Sequence, residues 1–127
     1  MATTAEALAL DYHQAGRLPD AEAIYRKILE LEPNHPDACH LLGVVAHQAG
    51  HHDVALEHIH RAICLNQTDA KYHNNLGEVY RAEQMILEAV ACYRRALELA
   101  PAMAAAHNNL GLALREQTHK GVGSLFY

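Results

Sequence analysis

The sequence has no tryptophan, one phenylalanine and one serine, Ser124. Its β-branched aliphatic residues are 6 Val and 5 Ile, against 23 Ala and 17 Leu. Strands favour β-branched and aromatic side chains, and helices favour Ala and Leu. That balance excludes an all-β fold. Disorder requires low hydrophobicity, whereas 50% of this chain is hydrophobic. No apolar run approaches the roughly 20 residues that span a bilayer. The opening Met1-Ala-Thr-Thr-Ala-Glu6 lacks the basic n-region of a secretory signal, so a cytoplasmic location and no membrane contact are expected. Cysteine is scarce and odd in number: Cys39, Cys64 and Cys92 stand 25 and 28 residues apart with no CxxC. This argues against a disulfide framework or a zinc ribbon, and predicts reduced, mostly buried thiols. Basic side chains number 10 against 15 acidic ones, a net charge of −5, which argues against nucleic acid as partner.

Catalytic patterns are missing as well. There is no Gly-rich phosphate loop, no GxSxG and no HExxH, and a single Ser leaves no nucleophile poised near His and Asp. The expectation is a non-enzyme with no cofactor and no metal. Eleven His are present, and His47 and His51 are spaced i,i+4, as a helical metal pair would be. Gly50 interrupts the helix before His51 and no carboxylate or Cys completes a site, so scattered surface His is the reading.

What is present is a repeat. His73-Asn-Asn-Leu-Gly77 recurs as His107-Asn-Asn-Leu-Gly111, an offset of 34. The same shift leads back to Cys39-His-Leu-Leu-Gly43 and to Ala5-Glu-Ala-Leu-Ala9. Leu8, Leu42, Leu76 and Leu110 align, as do Ala9, Gly43, Gly77 and Gly111. Ala21, Ala55 and Ala89 follow, then Tyr25, Ile59 and Tyr93, then Ile28, Ala62 and Ala96, then Leu31, Leu65 and Leu99. Pro33 and Pro101 match around Gln67. Gly in a helix costs about 0.5–1 kcal/mol, so aligned small residues imply close approach of helices, with the large ones filling the space beside them.

Boundaries repeat too. Thr3-x-x-Glu6 suits a capping box, Pro19 and Pro36 suit first helical turns, and Thr68 or Asp69 suits an N-cap. Gly16 and Gly50 fall in turns. Seven helices are predicted, over about 3–15, 19–31, 36–49, 53–66, 70–83, 87–99 and 103–117. Glu22–Arg26 and Glu57–Arg61 are spaced as helical ion pairs.

This pattern resembles the tetratricopeptide repeat, with its 34-residue period and its W-x2-L-G-x2-Y, A-x3-F, P signature. The Trp column holds Ala5, Cys39, His73 and His107, a departure throughout. The resemblance implies an all-α, right-handed superhelical solenoid of antiparallel helix pairs. Its repeats would span about 2–35, 36–69 and 70–103, with the A helix of a fourth at 104–117 and an irregular tail over 118–127. An unfinished last repeat leaves room for homo-oligomer formation.

The resemblance also implies a non-catalytic protein–protein interaction scaffold. Its concave groove takes a peptide segment or helix of a partner on positions 2, 5, 6, 9, 12 and 13 of each A helix. Carried over, the groove contains Leu10 in the first repeat and His40, Leu41, Val44 and His47 in the second. It contains Lys71, Asn74, Asn75, Glu78 and Arg81 in the third, and Asn108, Asn109, Leu112 and Arg115 in the last. The N-terminal half reads apolar and the C-terminal half polar, and an Asn amide both donates and accepts. Asn75 and Asn109 are similar to the asparagine ladder of O-GlcNAc transferase repeats, so a substrate-recognition arm of a glycosyltransferase-like enzyme is an alternative, as is a self-assembling unit. The carboxylate clamp of chaperone co-factors is not matched: Glu6, Leu10 and Leu41, or His40 and Val44, stand where it needs Lys and Asn.

Overall fold

A computed structural model describes residues 4–118, and these form seven α-helices with no strand among them. They are α1 (Thr4–Gln14), α2 (Leu18–Leu31), α3 (Pro36–Gln48), α4 (His52–Leu65), α5 (Ala70–Ala82), α6 (Ile86–Leu99) and α7 (Ala104–Gln117). Every boundary lies within two residues of its expected place. Thr3 and residues 119–127 of the expected tail lie outside the described residues. Thr118 continues the last turn of α7, its hydroxyl donating to the Leu114 carbonyl at 3.0 Å.

Local chemistry explains the boundaries. Pro19 and Pro36 sit in the first turns of α2 and α3, where a backbone N–H is dispensable. The Asp69 carboxylate caps α5 by accepting from the Lys71 N–H at 2.9 Å. Turns 15–17, 49–51 and 83–85 place one residue each at positive φ: Gly16 at 78°, Gly50 at 85° and Gln84 at 63°. The first two carry no Cβ to strain there; Gln84 does.

The chain divides into two compact units, residues 1–67 with α1–α4 and residues 68–127 with α5–α7. In the first unit, Ala9, Ala21, Tyr25, Ile28, Ala38, Leu42 and Val45 form one core. In the second, Ile86, Ala89, Val90, Tyr93 and Ala113 form another. The interlock of small and large residues is visible at two glycines. A Cβ on Gly43 would lie 2.6 Å from Ile59 Cγ1, and one on Gly77 would lie 2.5 Å from the Tyr93 ring. A Cβ on Gly111 would meet no other described group within 4 Å.

Some register positions depart from the aligned pattern. Leu42 and Leu76 are buried, but Leu8 is 43% exposed and Leu31 76% exposed. Cys39 is buried and Cys92 half-buried as expected, yet Cys64 is exposed. Burial pushes the Cys92 thiol up to about 11, with the Glu88 carboxylate adding to it. Arg26 pairs with Glu22 at 2.9 Å. Arg61 reaches across to the Pro33 carbonyl at 3.1 Å, tying α4 to the turn that precedes α3.

Candidate functional site

The expected groove positions all fall on α1, α3, α5 and α7. Leu10, Lys71, Asn108 and Arg115 are exposed. Leu41, Val44, His47, Asn75, Glu78, Arg81 and Leu112 are half-buried, and His40, Asn74 and Asn109 are buried. Each unit brings a different part of this set together.

In the first unit, α1 and α3 are tied by two side-chain contacts. The His13 imidazole meets Gln48 Oε1 at 2.7 Å. His35 caps α3, its Nδ1 accepting from the Ala38 N–H at 3.0 Å, while its Nε2 lies 3.1 Å from Glu6 Oε1. The ring thus joins the start of α3 to the Glu6 carboxylate on α1. Between these ties lies an open cavity of about 250 Å³, walled by Ala7, Leu10, Tyr25, Ile28, Ala38 and Leu41, with Glu6, His35 and Asp37 also lining it. Tyr25 is 1% exposed, and its buried hydroxyl meets no hydrogen-bond partner among the described residues. Burial pushes the Tyr25 phenol pKa up.

In the second unit, the facing helices α5 and α7 are joined by polar groups. The Asn109 amide donates to Asn74 Oδ1 at 3.1 Å and to Glu78 Oε1 at 3.0 Å. Both N–H bonds of that buried amide are thus committed within the chain. Arg81 lies 3.7 Å from Glu116. Beneath them, burial pushes the Tyr93 phenol up to about 12, with Arg81 opposing the rise.

His47 contacts His52 rather than His51, Nδ1 to Nδ1 at 3.1 Å. Among the described residues no group of three or more His, Cys, Asp or Glu could hold a metal ion. No helix among them is long and apolar enough to cross a membrane.

Several residues of these arrangements escape a reading of helix A positions alone. Tyr25 and Ile28 line the cavity from α2, where their i,i+3 spacing reads as core. Glu6 and His35 meet across 29 residues, a distance no local motif signals.

Comparison with known proteins agrees with this architecture. A family profile described as "Tetratricopeptide repeat" matches residues 12–78, and one described as "TPR repeat" matches residues 79–117. Human tetratricopeptide repeat protein 7A is 31% identical over 84 residues, which are 66% of this chain and 10% of that protein. The chain therefore spans about a tenth of that relative's length. The structure of the first TPR of Spaghetti (RPAP3) bound to HSP90 peptide SRMEEVD superposes with a TM-score of 0.86 at 24% identity, covering 90% of each chain. The O-GlcNAc transferase of Thermobaculum terrenum superposes with a TM-score of 0.81 at 30% identity, covering 90% of this chain and 23% of that one. With its seven helices, its 34-residue register and a profile match over more than half its length, this chain belongs to the tetratricopeptide repeat family, an all-α solenoid fold.

Proposed function

We propose that the chain is a non-catalytic interaction module that holds a peptide segment or helix of a partner protein on the A-helix surfaces. The observation that carries this reading is the open cavity between α1 and α3. It lies where groove positions of the family fall, and the large apolar Leu10 stands 43% exposed beside it. Large apolar residues left at a concave surface mark binding sites more often than chance exposure does. A peptide-bound neighbour with the same fold supports the same use.

The contact residues are Leu10, Leu41 and Val44 in the first unit. In the second they are Lys71, Asn75, Arg81, Leu112 and Arg115, with Asn108. Asn74, Glu78 and Asn109 hold α5 to α7 and present that surface; His40 and His47 are the further groove positions on α3. The SRMEEVD peptide held by the neighbour carries three acidic residues. This chain lacks the basic clamp positions, and Glu6 and Asp37 put negative charge beside its cavity. Its partner segment is therefore not of that acidic kind.

The test is selection of peptides from a displayed random library on the full chain, with affinities measured by fluorescence anisotropy. Leu41→Glu and Arg81→Glu should each weaken a selected peptide at least tenfold while the far-UV circular dichroism stays unchanged. Unchanged affinity in both variants contradicts the assignment. A second reading, the recognition arm of a glycosyltransferase-like enzyme, draws on the Thermobaculum neighbour, of which this fold makes up 23%.

A further inference from the structure

We propose that His47 and His52 form a two-imidazole site for a divalent transition metal of the zinc and copper kind, at the corner between α3 and α4. The site stands apart from the peptide reading, and neither depends on the other.

The path of the chain comes first. His47 lies in the last turn of α3, and His52 opens α4. Between them Gly50 takes a φ of 85°, and the His51 N–H donates to the Ala46 carbonyl at 2.8 Å. That corner turns the chain back on itself. The residue that returns to His47 is therefore His52, five positions on, and not His51. No regular helical spacing signals such a pair.

Geometry comes second. The two Nδ1 atoms are 3.1 Å apart. Two imidazole nitrogens each about 2.0–2.1 Å from one metal, at the about 90–109° of octahedral or tetrahedral coordination, stand about 2.8–3.4 Å apart. The ring centroids are 5.0 Å apart and the planes are inclined by 49°, so the rings meet through their Nδ1 edges and are not stacked. A metal seats at the apex above these two nitrogens with little movement of either ring. In the metal-free chain, the contact attracts when one Nδ1 carries a proton and the other accepts it. The metal takes the place of that proton, which moves to Nε2 of the same ring or to solvent.

Ligand type and charge come third. Neutral imidazole suits zinc, copper and nickel, whereas magnesium and calcium prefer oxygen. The C-terminal end of α3 favours a cation and the N-terminal end of α4 opposes one, while Asp53 adds a carboxylate in the first turn of α4. No third His, Cys, Asp or Glu is grouped with the pair among the described residues, so water fills the remaining positions.

The experiment titrates zinc chloride into the 15N-labelled full chain at neutral pH and follows the imidazole nitrogens in long-range 1H–15N spectra. One equivalent should saturate the chain. The Nδ1 signals of His47 and His52 should move together as ligands, with the proton on Nε2 of both rings. His47→Gln and His52→Gln should each lower the affinity at least tenfold by calorimetry. His51→Gln, at an exposed position whose side chain caps nothing, should change it less than twofold. Copper(II) should bind at least tenfold more tightly than zinc, with two nitrogens coupled in its electron paramagnetic resonance spectrum. Magnesium chloride should leave every imidazole unmoved. Absence of saturation, shifts shared evenly among the histidines, an equal loss from His51→Gln, or one zinc per two chains would overturn the site.

Discussion

The seam between α1 and α3 and the seam between α5 and α7 occupy the same register and are built from opposite chemistry. In the first unit the three positions are Glu6, Leu10 and Leu41, and they border an open apolar cavity. In the second they are Asn74, Glu78 and Asn109, and they close into a hydrogen-bonded triad. One backbone arrangement thus gives a socket in one unit and a polar clasp in the other. The outer tie repeats more faithfully: His13 meets Gln48, and Arg81 meets Glu116, both across 35 residues. The lesson is that the fold fixes which positions face each other, while the side chains decide whether a seam binds or braces.

The largest effect should come from breaking the clasp. Asn109→Ala strands the buried Asn74 carbonyl and removes a donor from Glu78, at a cost of about 1–3 kcal/mol. Hydrogen exchange in α5 and α7 should quicken accordingly while α1 to α4 keep their protection. Asn108→Ala, at the exposed neighbour, should change stability by no more than about 0.5 kcal/mol. Equal losses from the two variants would erase the distinction between them.

The units should behave alike where small and large residues interlock. Gly77→Ala drives a Cβ into the buried Tyr93 ring and Gly43→Ala drives one against Ile59. Overpacking of this kind costs about 1–3 kcal/mol, less the roughly 0.5–1 kcal/mol that Ala returns in helix propensity. Gly111→Ala, with open space around it, should be stabilising by about 0.5–1 kcal/mol. Thermal unfolding of the three variants reads the opposite signs directly.

A smaller effect separates the helix starts and the corners. His35→Ala removes both the α3 cap and the tie to Glu6, a loss of about 1 kcal/mol; His35→Asn should restore the cap and not the tie. Gln84→Gly relieves the one positive-φ residue that is not glycine among the described turns. It should gain a few tenths to about 1 kcal/mol, the left-handed strain relieved less the added freedom of the unfolded chain. Both are read from denaturant midpoints.

The smallest effect is the response to mild acid, expected from His58 in the first unit. Burial lowers the His58 pKa below 6.5; Arg26 and Arg61 lower it further, and Glu57 and Glu22 oppose them. The unfolded chain therefore binds the proton that the folded one refuses. As pH falls through 6.5 toward the folded value, the contribution of His58 to stability declines, and above 6.5 that contribution is constant. His58→Gln should flatten the slope of α4 protection below pH 6.5, leaving α5 to α7 unaffected.

Much of this was legible in the residues. The 34-residue register, the prolines and the corner glycines placed every helix end within two positions, since those features act through local backbone geometry. The seams were less legible for a specific reason. Alignment at 34 compares like with like, but the contacts join position 5 of one A helix to position 6 of the next, 35 residues on, as in Asn74 with Asn109. Identical Asn-Asn pairs therefore play unequal parts: the first Asn is buried in α5 and the second in α7. The cavity was half legible. Leu10 and Leu41 were expected there, whereas Tyr25 and Ile28 enter from α2, whose apolar stripe reads only as core.

The account's central claim is that partner peptides engage the A helices. The most direct test is chemical-shift mapping of the 15N-labelled full chain with a library-selected peptide at saturation. The account predicts perturbations concentrated on α1, α3, α5 and α7, with Leu10, Leu41 and Asn75 among the strongest. Perturbations confined to the exposed residues of α2, α4 and α6, such as Arg26, Arg61 and Arg94, would contradict it.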